Sequence, residues 1–367
     1  MFKPTEHLRK VSAKVLDNAL PIQPDDVAVF YAGAENLDLA YAFAAECETR
    51  GTETIVQTYG DYLWQTKLLK APLEAFSKIL KVPEALVDVA DWFVYMTGSS
   101  HDNSIYQKPE LKERTIAIRN RSKPFTENLL QLCLKKKTHL VAFLDPNLQQ
   151  AQALGKTYKQ TRELFLKSLD IDYDMLTQLG QKLINTMQKG GEIRLTCPKG
   201  SDLRLRADGR SWTSEDGKPP TSSSTSARYV HNIPVGEVYV APVEQTAYGV
   251  IYPTTLPGSV LDGVRIEFRG EKKAVITAQK GFELIKPRLD NATGNPYSIA
   301  EFAFGTNPCG NIILASEKTY ATAHVAIGQN TWLGGKNECS IHWDFVIDRP
   351  TVTINGKPVL KNGKYMV

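Results

Sequence analysis

Near residue 171 the periodicity of this sequence changes, and that change constrains the fold more than any other feature. Upstream, VAVFY at 27–31 is a short apolar run followed by Ala32-Gly33 and then NLDLAYAFAAECETRG. In that stretch Leu37, Ala40, Ala44 and Cys47 recur at helical spacing, and Gly51 stands where a helix C-cap belongs. The β-branched run TETIVQTY follows directly, so strand, helix and strand predict a βαβ unit and a parallel sheet. WFVYMTG at 92–98 and HLVAFLD at 139–145 add two candidate buried strands. Downstream, a helix over Tyr173–Lys189 runs into Gly190-Gly191, and EIRLTCPKGSDLRLRADGR then alternates with period two about Lys199-Gly200, as a β-hairpin does. A Pro/Ser/Thr-rich loop at 219–226 precedes many short strand-like runs, and TVTINGKPVLKNGKYMV closes the chain with two Asn-Gly turns. The expectation is an α/β domain with a parallel sheet at 1–170 and a mostly antiparallel β (α+β) domain at 171–367.

Composition bounds the class. A chain of 367 residues is too long for one ordinary core and suits two. At 42% hydrophobic residues it is not a disordered chain. The charge balance of 44 Lys and Arg against 40 Asp and Glu leaves +4, too slight for an electrostatic footprint on nucleic acid or an anionic membrane. Neither is expected as a partner. Cys47, Cys133, Cys197, Cys309 and Cys339 are dispersed and form no CxxC pair, which argues against a disulfide framework or a cysteine-built zinc site. The opening MFKPTEHLRKVSAKVLDN has no apolar signal core, and no window approaches the roughly 18 apolar residues of a membrane span. A cytoplasmic location follows as the expectation.

Few residues can carry chemistry. The histidines are His7, His101, His139, His231, His324 and His342. On a strand through SIHWDFVID, His342, Asp344 and Val346 share one face while Trp343, Phe345 and Ile347 share the other. An imidazole and a carboxylate so placed can converge on one divalent ion, or simply face solvent. His324, in ATAHVAIG, is a candidate ligand or a satisfied core histidine, and Glu317 in SEKTYATAH a ligand or a surface charge. Glu237, in NIPVGEVYVAPVE, and Glu301, which opens EFAFGTNPCG, are carboxylates among apolar neighbours. Such a group needs a cation or donors to offset desolvation, unless its strand position is exposed. Together the six form a carboxylate-rich set with two histidines, the kind that holds paired divalent ions about 3.5–4 Å apart. HExxH, GxSxG, Walker and GxGxxG motifs are absent.

The strings NIPVGEVYVAP, EFAFGTNP, EKTYATAHVAIG and IHWDFV, with Gly249 after the first and GSDLRLRADGR ahead of it, stand in a telling order. In that order the sequence resembles the aminopeptidase T/aminopeptidase S family of metallopeptidases over roughly 190–367, with a looser α/β likeness over 1–165. The resemblance implies a two-domain fold, a homodimer, and two divalent ions such as zinc, cobalt or manganese. It implies Glu237 as the first ligand and Glu301 as the second, bridging the ions. Glu317 would stand for a Glu shortly before the histidine, although the spacing differs. His324 would be the first metal histidine, and His342 and Asp344 the closing His-x-Asp. The family's active-site Tyr, seven residues after the first histidine, is Thr331 here.

Two activities compete. A metal-dependent aminopeptidase would use two ions to polarise the scissile carbonyl, activate a water and anchor the free α-amine of a short peptide. Glu237 and Glu301 would serve in ligation and proton handling. Alternatively, His324, His342 and Asp344 would hold a single Fe(II) for ring cleavage of a small-molecule substrate, as in a 2,5-dihydroxypyridine dioxygenase, which resembles the same family. A lone iron needs neither Glu237 nor Glu301, so the glutamates favour hydrolysis. A site that has lost its activity is the third reading, motivated by Thr331.

Overall fold

The computed structural model describes residues 3–59, 61–76, 81–96, 109–111, 113–114, 132–133, 135–187, 190–218, 229–255, 259, 261–309 and 316–367. The loop expected at 219–226 and His101 lie outside the described residues. The chain divides into two compact units, Met1–Asp170 with Arg228–Ile233, and Ile171–Ala227 with Pro234–Val367.

The first unit is built on a parallel sheet of β1 (Val27–Gly33), β2 (Glu53–Tyr59), β3 (Trp92–Met96), β4 (His139–Phe143) and a short β8 (Val230–Ile233). Their order is β2-β1-β3-β4-β8. The helix Leu37–Thr49 crosses from β1 to β2; of the residues read at helical spacing it buries Ala40, Ala44 and Cys47 and leaves Leu37 half-buried, and it buries Leu39 and Phe43 besides. β8 arrives from more than eighty residues downstream and pairs in parallel with β4, Leu140 opposite Val230. Four residues, VHNI, carry no period long enough to assign them to a sheet from sequence. Only pairing places them.

The second unit packs two antiparallel sheets together. One consists of β5 (Glu192–Thr196), β6 (Asp202–Arg206), β10 (Tyr248–Ile251), β11 (Arg265–Arg269), β12 (Lys272–Thr277), β16 (Thr351–Ile354) and β17 (Lys357–Leu360). β5 and β6 are the hairpin expected about Lys199-Gly200. At the Asn355-Gly356 turn between β16 and β17 both residues have φ near +50 to +77°, which an Asn-Gly pair tolerates at little cost. The other sheet runs β15-β14-β13-β9-β7, from β7 (Thr213–Glu215), β9 (Glu237–Val240), β13 (Ile299–Gly305), β14 (Ala323–Gly328) and β15 (His342–Ile347). One core joins the two, with Leu195, Leu203 and Leu205 meeting Phe302, Phe304, Val325, Ile327 and Phe345, and with Leu183 and Met187 of the helix Tyr173–Met187 added. A further short helix, Phe282–Asp290, has no strong sequence period and contains Pro287, so the run of strands expected there is interrupted. No helix among the described residues is long and apolar enough to cross a membrane.

Candidate metal centre

The second face of the β15-β14-β13-β9-β7 sheet carries the candidate residues, and strand register explains why. Phe302 and Phe304 point to the core, so Glu301, Ala303 and Gly305 point the other way. Opposite them stand Ala326 and His324 on β14, and Tyr239 and Glu237 on β9. Asp344 lies opposite Ala326, His342 opposite Gly328, and Glu215 opposite Glu237. Long polar side chains thus alternate with Ala303, Gly305, Ala326 and Gly328, whose small size clears space for them. The register shifts between Ile299 and Glu301. That irregularity sends Ile299 into the core although it lies two residues before Glu301, which faces the cluster.

Five of the six candidates meet. His324 Nε2 is 3.3 Å from Glu301 Oε1 and 3.5 Å from Glu237 Oε2. His342 Nε2 is 3.2 Å from Glu301 Oε2 and 3.3 Å from Asp344 Oδ1. Donor atoms therefore fall into two groups, Glu237–Glu301–His324 and Glu301–His342–Asp344, each spanning no more than 4.8 Å, and Glu301 belongs to both. His342 is oriented from behind, its Nδ1 lying 2.7 Å from the carbonyl oxygen of Gln329. Glu317 is half-buried on the turn Ser316–Lys318 and belongs to neither group. Burial raises the pKa of its carboxyl, Lys318 opposes that rise, and the charge of Asp344 adds to it, so it lies within electrostatic reach of the cluster.

The electrostatics show a donor set short of positive charge. Burial pushes Glu301 up, but hydrogen bonds and charge from His324 and His342 outweigh it and hold its carboxyl well below the usual range. Burial works against the imidazolium of His324, yet Glu301, Glu237 and Asp344 raise its pKa to about 9. His342 rises well above its ordinary value against the same penalty, through Asp344 and Glu301. Glu237 is raised, by burial first and by Glu301, with Lys318 opposing. Two buried carboxylate oxygens, Glu237 Oε2 and Asp344 Oδ1, have no hydrogen-bond partner. Oxygens of that kind cost free energy unless a cation meets them. The residues present fit divalent ions, with carboxylate and imidazole donors and Glu301 able to serve two ions at once.

Sequence reading missed Lys318 and Glu215. Lys318 is 1% exposed and its ammonium contacts both Glu215 and Glu237, where a lysine next to a glutamate on a polar stretch reads as surface. Of the other histidines, His139 Nδ1 and His231 Nε2 lie 2.9 Å apart in the first unit beside Trp92. They join no group of three donors among the described residues. Thr331 is exposed, and its Oγ1 accepts a 3.0 Å hydrogen bond from Gln329 Nε2.

A parallel α/β unit followed by an antiparallel unit, with a buried carboxylate–imidazole cluster on one sheet face, makes a two-unit α/β and β protein with a candidate metal centre. More narrowly, residues 5–365 match the family described as thermophilic metalloprotease (M29), and the chain belongs to that family. Aminopeptidase T of Thermus aquaticus is 26% identical over 198 residues, 46% of this chain and 47% of that protein. The matched stretch thus spans less than half of that curated relative. The structure of wild-type AmpT from Thermus thermophilus superimposes with a TM-score of 0.72 at 18% identity, covering 98% of this chain and 99% of that one. The 2,5-dihydroxypyridine dioxygenase of Pseudomonas putida KT2440 gives a TM-score of 0.61 at 14% identity, covering 99% of each. At those identities both likenesses speak to the fold alone.

Proposed function

We propose that this chain is a metal-dependent aminopeptidase that hydrolyses the N-terminal peptide bond of short peptides with two divalent ions. The observation that carries the reading is the position of Glu301, one oxygen on each imidazole and a member of both donor groups. Glu237, Glu301 and His324 would hold one ion, and Glu301, His342 and Asp344 the other. Ions held there would supply Lewis-acid polarisation of the substrate carbonyl and would lower the pKa of the attacking water. Glu237 and Glu301, the carboxylates beside the ion positions, are the two candidates to accept the water's proton. Thr331 is exposed and its hydroxyl accepts from Gln329, so this reading assigns it no role. The finer expectations of zinc, cobalt or manganese and of a homodimer rest on the family resemblance.

The alternative, one Fe(II) on His324, His342 and Asp344, is disfavoured by Glu301. A buried carboxylate standing between the two imidazoles adds a negative charge that a lone ion does not need. Metal analysis of protein purified without added metal, paired with hydrolysis of an aminoacyl anilide or dipeptide, tests the reading. About two ions per chain with hydrolysis is the expected result. One iron per chain, with ring cleavage of a dihydroxypyridine in air and no hydrolysis, overturns it.

A further inference from the structure

Glu215 and Glu237 stand directly opposite one another on β7 and β9, a cross-strand placement in which two carboxylates repel. Burial sharpens that repulsion, because little water reaches either carboxylate. Lys318 answers both. Its side chain is 1% exposed, and its ammonium contacts Glu215 Oε2 and lies 2.5 Å from Glu237 Oε1. The turn that carries Lys318 is itself tied down, the backbone N–H of the buried Asn307 donating to the Lys318 carbonyl at 2.8 Å.

The consequence falls on Glu237. A carboxylate with no fixed partner can turn either oxygen, or both, toward an ion. Here Oε1 is occupied by the ammonium and Oε2 has no hydrogen-bond partner, 3.5 Å from His324 Nε2. Among the described residues the other donor group has no lysine or arginine ion pair, since Asp344 and the second oxygen of Glu301 meet His342. We propose that Lys318, held by Glu215, is the positioning residue for Glu237, so that one metal position depends on an internal ammonium and the other does not. The proposal rests on the paired-ion reading above.

Titration of metal-free protein with Co(II), followed by calorimetry, visible absorption and native mass spectrometry, tests it. Wild type is expected to bind two ions. Lys318→Met keeps the length and removes the donor, so one ion should bind as in wild type and the other about tenfold more weakly or worse. Lys318→Met/Glu215→Gln removes the stranded carboxylate and gives Glu237 an amide donor, and should recover the second ion to within about threefold. Lys318→Met/Glu215→Leu leaves Glu237 without a donor and should not recover it. The two double variants differ only at Glu215, so they carry the test should Lys318→Met fail to fold. Equal cobalt affinities in both double variants, or two unweakened ions in Lys318→Met, overturn the positioning role. A single ion in wild type overturns the paired-ion reading instead, and is read before any variant.

Discussion

Asp344 is the most exposed member of the cluster, with 36% of its side chain accessible, yet its Oδ1 is buried and lies 3.3 Å from His342 Nε2. Burial would raise its pKa, but the neighbouring His342 holds it below the usual value, so the group meets a cation already ionised. Asp344→Asn keeps the shape and removes the charge. The variant should fold with a stability within about 0.5 kcal/mol of wild type in the absence of metal. It should lose bound metal and hydrolysis together, by more than the roughly 10–100-fold loss seen for residues one step removed from an ion. Metal content and turnover measured on that variant decide the point, and full metal with full turnover would end the case for this site. That His342 and Asp344 share a strand face was legible from the spacing of SIHWDFVID, because the side-chain period of a strand is two. The aromatic and aliphatic residues on the opposite face behave accordingly, with Phe345 and Ile347 in the core and Trp343 packed against it.

At the scale of the strand, β13 does two jobs in alternation. Phe302 and Phe304 hold the sheet to the core while Glu301 faces the cluster, with Ala303 and Gly305 keeping the path to it clear. Gly305 is the tightest of these positions, since a Cβ there would fall 2.0 Å from the Thr319 carbonyl and 2.8 Å from that of Glu317. Both obstacles are backbone, so the turn that carries Lys318 would have to shift. Gly305→Ala should therefore destabilise the protein by about 1–3 kcal/mol. It should also weaken metal binding, because the displaced turn takes Lys318 away from Glu237. Chemical denaturation and a metal titration on the same variant read both effects. Unchanged stability would show that the turn yields freely. Sequence alone could not mark Gly305 as constrained, because the obstacle is a turn fourteen residues further along the chain.

For the whole molecule, the candidate residues all belong to the second unit, and no donor group of this kind occurs among the described residues of the first. Ions bound there stabilise that unit by mass action, about 2.7 kcal/mol for one site at a hundred times its dissociation constant. For a unit of this size that corresponds to roughly 5–10 °C in melting temperature. Chelation of both proposed ions should lower one calorimetric transition by at least that much and leave the other in place. A chelator that moves both transitions equally, or neither, contradicts this placement of the metal. The sequence by itself determined the two kinds of sheet, the helix between β1 and β2, the hairpin about Lys199-Gly200, and a short set of candidate ligands. Each is written locally, in a period of 3.6 or two or in turn residues with a fixed conformational preference. Tertiary structure alone decided that VHNI at 230–233 joins the parallel sheet of the first unit, that a register shift aims Glu301 at the cluster, and that Lys318 is buried between two glutamates. Those outcomes depend on which strands become neighbours and on what then covers them, and residues far apart in the chain carry no local pattern from which that pairing can be read.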